Sequence, residues 1–348
     1  MMLLPRPTRG SVLMTLALVA CDGDSLSAPS AEGWDTASPA SQGMIESVLL
    51  QADEVAQSFP SIRSLLVVRN GFLVFERYYR GFLAEDRPAI RSVTKSIASL
   101  AYGIALDRGD LPGLDQRVEE VFPQYFGPED DAKRAITVRH LLTMTSGLNS
   151  LEADDGTLAV SWIGAYIQAP LISEPGAEFR YDGALPHLLS GMLTEATQLS
   201  LSEYMQQHVF APLDITGVTW ETDPEGFTSG FSGITISARD LAKIGLLYLR
   251  EGMWEGRQIV PREWVEASSQ NQAPGGSAAA GYGYLWWLSD ESRFDGFFAA
   301  GYGGQYIYVI PTLDLVVVIT GDPDVSPDIP IFHRNLVPDY IARAVRTP

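Results

Sequence analysis

The sequence predicts an α+β fold: one antiparallel sheet built from strands at both ends of the chain, flanked by terminal helices, with a mostly helical lobe inserted between. Three observations carry this expectation. Residues 64–69 and 72–79 are β-rich runs joined by Asn70-Gly71, the strongest short-range signal for a hairpin. Residues 305–310 and 313–320 form a second such pair around Pro311. The stretch between them carries helix signals at 92–107, 137–145, 184–197, 200–211, 237–251 and 261–268. Antiparallel strands distant in sequence can share one sheet, which leaves the middle of the chain as a lobe against its edge.

In chain order, residues 1–21 open with a cationic stretch containing Arg6 and Arg9. An apolar run from Val12 to Ala20 follows, and Cys21 comes directly after a small residue. This is the layout of a secretory signal peptide, and the run is shorter than the roughly 20 apolar residues a spanning helix needs. Ala20-Cys21 resembles the lipobox of bacterial lipoproteins, in which the cysteine becomes the acylated first residue. The alternative is an ordinary cleaved signal with an incidental cysteine. The expectation is an exported chain, lipid-anchored through Cys21 to a bacterial membrane on its periplasmic or outer face. Residues 22–40 are mostly Ser, Ala, Pro, Gly and Asp with one Trp, a composition that predicts a flexible tether.

The folded domain is predicted from 41 to 348. Between Met44 and Phe59, Ile45, Leu49 and Val55 recur at helical spacing, and Pro60 ends the pattern. After the first hairpin, a helix over 92–107 places Ile97, Leu100, Ala101 and Ile104 on one face, with Gly109 to stop it. The helical lobe is placed at roughly 83–295. A closing helix runs from about Ile331 to Val345. No fixed-period repeat is present, so one bilobal domain is the economical reading.

Composition narrows the function. The 348 residues are 46% hydrophobic and 19% charged, a globular balance, with a formal charge of -19. A phosphate backbone is bound through clustered Lys and Arg, so nucleic acid is excluded as a partner. The single cysteine rules out an internal disulfide. The four histidines (His140, His187, His208, His333) lack the paired spacing of a metal site, and no glycine-rich nucleotide loop occurs. No metal and no cofactor are expected. No Gly-x-Ser-x-Gly nucleophile elbow is present either.

The segment that can carry chemistry is Ser92-Val93-Thr94-Lys95. Residues three apart share a helix face, so the Lys95 amine can reach the Ser92 hydroxyl. Ser92 falls at the helix N-terminus, where partial positive charge favours an oxygen anion. A lysine buried there would have a depressed pKa and could act as a neutral base. The alternative is that Ser92 is an N-cap and Lys95 a solvated side chain.

Ser92-Val93-Thr94-Lys95-Ser96 resembles the active-site motif of class C β-lactamases and their esterase relatives, within the serine β-lactamase and penicillin-binding-protein superfamily. Four further segments are similar in order. They are His140 to Leu148 (HLLTMTSGL), Phe179-Arg180-Tyr181, Ile236 to Lys243, and Gly301-Tyr302-Gly303-Gly304-Gln305 at the place of the third motif, Lys-Thr-Gly. The resemblance runs from about 43 to 345. It implies a β-lactamase/transpeptidase-like fold and a serine hydrolase in which Ser92 is acylated. By the same likeness Lys95 and Tyr181 share its proton, and Tyr181, its pKa lowered by nearby cations, activates the deacylating water. The backbone N–H groups of Ser92 and Gln305 would form the oxyanion hole, and Tyr302, Gly303, Gly304 and Gly183 would border the substrate.

Two departures bear on the substrate. Gly183 stands where the family's second motif has Asn, and Tyr302 where the third has Lys. Both losses point away from penicillin or D-Ala-D-Ala and toward small esters or amides, as in the family's esterases and nylon-oligomer-type hydrolases. A true β-lactamase or D-amino-acid peptidase is the alternative enzyme. A catalytically silent peptidoglycan-binding or scaffold protein is the alternative of another class, disfavoured by the intact Ser92, Lys95 and Tyr181. Gly281 to Trp287 (GYGYLWW), with Phe294, Phe297 and Phe298, forms an aromatic cluster that could line an acyl pocket but is read first as core. His140 is read as a capping or packing residue.

Overall fold

Asn70 and Gly71 both adopt left-handed φ angles, 54° and 84°, the conformation a two-residue type I′ hairpin needs at both positions. They join β1 (Ile62–Arg69) to β2 (Phe72–Tyr78). This computed structural model describes residues 34–276, 279–289, 294–325 and 335–346. Two short antiparallel ribbons, β3 (Thr219–Trp220) with β4 (Ile234–Thr235) and β5 (Met253–Trp254) with β6 (Arg257–Gln258), lie in the middle of the chain. The remaining strands are β7 (Gly281–Tyr282), β8 (Trp287–Leu288), β9 (Phe297–Gly301), β10 (Gln305–Ile310) and β11 (Leu315–Gly321). One seven-stranded sheet results, in the order β2-β1-β11-β10-β9-β8-β7, with every pairing antiparallel. The two chain ends meet at its centre, where β1 pairs with β11 from Arg69↔Leu315 to Ile62↔Gly321.

Successive strand residues point to opposite faces, and both faces of this sheet are covered. Leu65, Val67, Val317 and Ile319 pack under α1 (Glu46–Ser58) and the C-terminal helical segment, through Leu49, Ala52, Val337 and Ile341. Leu66, Val68, Ile307, Val316 and Val318 pack against α2 (Val93–Arg108) and the helix Ala238–Leu249. Two covered faces explain why β11 is buried at every position, and each such aliphatic contributes about 1.5–3 kcal/mol of burial. Gly245 lets that second helix approach closely, since a Cβ there would lie 2.4 Å from Val316 Cγ1.

The fold class matches the expectation, and α2 stops at Gly109 as expected (φ 75°, its N–H on the carbonyls of Ala105 and Leu106). Two boundaries need correction. The tether expected over 22–40 ends earlier. Trp34 is buried, its Nε1 donating to the Arg239 carbonyl at 3.3 Å. Leu73 N–H donates to Asp35 O, and Ala37 N–H to Leu73 O. β2 is an edge strand, and its free backbone groups recruit this segment as cover. The helical lobe, placed at 83–295, gives way to sheet already at β7 and β8, because two-residue strands carry no readable period. The closing helix includes a π-helical stretch, Val337–Ile341, before Ala342–Ala344, and 331–334 lie outside the described residues, as do 1–33 with Cys21.

Candidate active site

Ser92 is the residue before the first turn of α2, and Arg91 ahead of it has φ 52°. A left-handed conformation at a non-glycine residue costs about 1–3 kcal/mol, so the surrounding structure imposes this sharp entry. Ile90 N–H donates to Ile234 O at 3.0 Å, and Ala89 bridges Thr235, which pins the approach to the helix. Ser92 makes no side-chain cap hydrogen bond. Its Oγ lies 2.8 Å from Lys95 Nζ instead. Lys95 is only 2% exposed, so neither half of the capping-and-solvated alternative describes the pair.

Lys95 Nζ also donates to the Phe231 carbonyl at 3.0 Å, and it lies 5.5 Å and 5.7 Å from the ring centres of Tyr181 and Phe231. Burial in this box disfavours the ammonium and pulls the pKa down to about 7, while the nearby Asp182 carboxylate pushes it up. The amine is therefore substantially unprotonated at neutral pH, as a base must be.

Tyr181 faces the same two groups. Its pKa lies above the ordinary phenol value, through burial first and Asp182 next, with the hydrogen bond to Ser92 working the other way. The expected lowering by cations does not occur, because burial of the phenol itself outweighs what lowers its pKa. One side of the ring is open (36% exposed) while the hydroxyl end reaches inward to Ser92.

The segment from His140 to Leu148 supplies the scaffold for this tyrosine. Thr137 and His140 form a reciprocal capping box at the start of the helix Val138–Leu142. Met144 takes φ 57° and accepts the Arg180 N–H at 2.9 Å, one residue before Tyr181. Gly147 (φ 78°) sits where a Cβ would meet Ser173 O at 2.0 Å. On the other side of Tyr181, buried Asp182 accepts the N–H of Ser150 at 2.9 Å and of Ala184 at 3.1 Å, together with the Ser150 hydroxyl. Of the Ile236–Lys243 segment, Ser237 caps the helix Ala238–Leu249 and Lys243 holds the carbonyls of Leu213 and Asp214, roles in the scaffold alone.

The third side is the turn from Gly301 to Gln305. A Cβ on Gly301 would meet Ile90 O at 2.4 Å, so the turn lies against the approach to Ser92. Gly303 and Gly304 take φ 81° and 89°, and a Cβ on Gly303 would meet Pro323 at 2.5 Å. The buried Gln305 side chain clamps Gly321 from both ends, donating to its carbonyl at 2.6 Å and accepting its N–H at 3.1 Å. That fixes the first residue of β10 in place. Tyr302 is exposed at 53%. Among the described residues no backbone carbonyl accepts the Ser92 N–H. At Gly183 an added Cβ would meet nothing within 4 Å.

The aromatic cluster divides. Tyr282, Tyr284 and Trp286 are core, and Trp286 Nε1 donates to the Tyr248 hydroxyl at 2.8 Å. Phe297 packs on Tyr248 and Trp286, and Phe298 on Tyr308, within the core, while half-buried Phe294 packs on Tyr308 at its margin, so these three do not form an acyl pocket. Two rings of the run reach Tyr181: that of Trp287 lies 5.0 Å from it at 32°, and that of buried Tyr282 meets it edge-on at 6.4 Å. Sequence reasoning missed Phe231 and Asp182, and it did not separate Trp287 from its neighbours. Phe231 acts through a carbonyl, which leaves no residue-type signal. Among the described residues no three His, Cys, Asp or Glu side chains converge as metal ligands would.

Comparison with known proteins bears on the family of the chain. The family model described as Beta-lactamase matches residues 51–327. The chain is 26% identical over 301 residues to a 6-aminohexanoate-dimer hydrolase of Paenarthrobacter ureafaciens, covering 78% of this chain and 74% of the relative. Among solved structures it is similar to EstCE1, described as a hydrolase with promiscuous acyltransferase activity. That match has a TM-score of 0.70 and 18% identity over 87% of this chain and 98% of that one. It is also similar to the octameric penicillin-binding protein homologue of Pyrococcus abyssi, with a TM-score of 0.68 and 19% identity over 86% and 76%.

Proposed function

The chain belongs to the beta-lactamase family and is a serine hydrolase, and we propose that it cleaves small esters, and amides less readily, through an acyl-enzyme on Ser92. The observation that carries this reading is the buried Lys95 amine, 2.8 Å from Ser92 Oγ with a pKa near 7. Unprotonated Lys95 takes the hydroxyl proton as Oγ attacks the substrate carbonyl. The carbonyl electrons move onto oxygen, which the backbone N–H groups of Ser92 and Gln305 receive. When the intermediate collapses, the bond to the leaving group breaks. Tyr181, a neutral phenol, gives that group a proton and takes one from the Lys95 ammonium. Water then repeats the sequence: it passes a proton through Tyr181 to Lys95, attacks the acyl carbon, and Ser92 leaves with a proton. The raised Tyr181 pKa favours this relay over the tyrosinate base that the resemblance implies.

Gly183 and Tyr302 set the substrate preference. An amide leaving group departs poorly and gains from a held carbonyl and N–H. Lacking the Asn side chain at 183 forgoes a hydrogen bond of about 0.5–1.5 kcal/mol. Lacking the Lys at 302 forgoes a charge-assisted contact of about twice that. Together these handicap carboxylate-bearing amides by about two orders of magnitude, while an activated short-chain ester needs neither contact. Steady-state assays decide the matter. p-Nitrophenyl acetate or butyrate should turn over clearly and nitrocefin weakly or not at all. A kcat/KM for nitrocefin above that for the esters would establish a β-lactamase pocket.

The cationic start, the apolar run and Cys21 support a further part of the proposal: export, cleavage before Cys21, and a lipid on that cysteine in the cell envelope. Mass spectrometry of the protein from its native host should find the lipidated Cys21 terminus. An unmodified Met1 terminus there overturns this part alone.

A further inference from the structure

We propose that His187 and Asp223 form a positioning pair that holds the Phe231 carbonyl, and through it the Lys95 amine, in register with Ser92. This inference rests on the Lys95 reading above. His187 is fully buried, with Nε2 3.0 Å from Asp223 Oδ2 and Nδ1 accepting the Gly230 N–H at 3.4 Å. An accepting Nδ1 fixes the tautomer, so Nε2 carries the proton and donates to Asp223. Asp223 is held in turn, its Oδ1 accepting the N–H groups of Glu225 at 2.9 Å and Phe227 at 2.8 Å.

Gly230 directly precedes Phe231, whose carbonyl accepts from Lys95 at 3.0 Å. The imidazole thus grips the backbone one residue from the atom that orients the amine. Gly230 has no room to shift, since a Cβ there would meet Pro186 O at 2.3 Å and His187 Cα at 2.9 Å. The same imidazole meets the Phe231 ring edge-on, 6.2 Å between centres at 82°, with Trp162 5.3 Å away on another side. A neutral amine has one lone pair for the Ser92 proton. An N–H donated to a fixed carbonyl is what aims that lone pair, and mispositioning of a reacting group is costly in rate. The titratable groups facing Lys95 are Tyr181 and Asp182, and Tyr166 packs on His187 with its centre 6.2 Å away.

The test compares His187→Gln, which removes the acceptor for Gly230 N–H, with His187→Asn, which keeps an acceptor near the Nδ1 position. Both are assayed with p-nitrophenyl butyrate across pH, with thermal unfolding in parallel. In His187→Gln, kcat should fall about tenfold to a hundredfold at little change in KM. The rising limb of its pH profile should move to lower pH, because a loosened carbonyl no longer favours the ammonium. His187→Asn should restore much of both. If His187→Gln does not fold, Asp223→Asn carries the same expectation. A folded variant whose rising limb and kcat stay at wild-type values overturns the pair alone. A wild-type profile with no limb near pH 7 overturns both the pair and the lysine reading beneath it.

Discussion

Ser92 and Lys95 stand one turn apart on the same face of α2, with 2.8 Å between hydroxyl oxygen and amine nitrogen. The surroundings of the pair bury the amine and aim it: the Phe231 carbonyl accepts a hydrogen bond from it, two rings enclose it, and the residue is 2% exposed.

The first consequence is a pH profile. The Lys95 pKa is lowered to about 7, so as pH falls through 7 the ammonium increasingly replaces the free base. The rate kcat/KM should rise through about pH 7. It should then stay level up to about pH 10, because the Tyr181 phenol is raised above its ordinary value. Lys95→Arg, charged at every such pH, should lose about 10²–10⁴ of the rate. Stopped-flow ester hydrolysis from pH 5 to 10.5 measures both, and a rate independent of pH across 6–8 would discredit the lysine as base.

Gly183 offers a gain-of-function experiment. Its φ is ordinary and an added Cβ meets open space, so Gly183→Asn should fold unchanged. Combined with Tyr302→Lys, at an exposed position, it should raise nitrocefin kcat/KM by about ten- to a hundredfold. Hydrolysis of p-nitrophenyl acetate should change less than threefold. Equal gains on both substrates would show that the two positions do not discriminate.

Asp182 links stability to catalysis. It accepts two backbone N–H groups and a hydroxyl from within the protein, and its charge raises the Lys95 pKa. Asp182→Asn should lose about 1–3 kcal/mol of stability, since buried donors lose their acceptor. Removing a charge that favours the ammonium should also move the rising limb below pH 7. Urea unfolding and the pH profile of the same preparation check both, and an unmoved limb would separate Asp182 from the lysine.

What was legible in the sequence was whatever local chemistry encodes. The Asn70-Gly71 turn, the stop at Gly109 and the Ser92-x-x-Lys95 spacing each follow from a residue type at a position. What stayed hidden arises from distant contacts. Phe231 contributes a carbonyl, which any residue could supply. His187 and Asp223 are 36 residues apart and share no motif. Trp34 sits in a segment with the composition of a tether, yet the open edge of β2 orders it. The direction of the Tyr181 pKa is set first by burial of the phenol itself, which spacing does not report.

Packing provides a test away from the site. Alanine in place of glycine within a helix ordinarily stabilises by up to about 1 kcal/mol. At Gly245 the added Cβ would lie 2.4 Å from Val316 Cγ1 and 3.0 Å from Ile307 Cγ2, and overpacking costs about 1–3 kcal/mol. Gly245→Ala should therefore lower the urea midpoint and leave the kcat of the folded enzyme unchanged. A raised midpoint would mean the helix can lift off the sheet.

The central claim is that Ser92 forms the covalent bond. Intact-mass measurement after exposure to a fluorophosphonate, followed by peptide mapping, tests it most directly. Wild-type protein should gain one phosphonyl adduct on the peptide containing Ser92. Ser92→Ala should fold, take no adduct and lose ester turnover. An adduct on another residue, or a Ser92→Ala protein with unchanged turnover, would contradict the assignment.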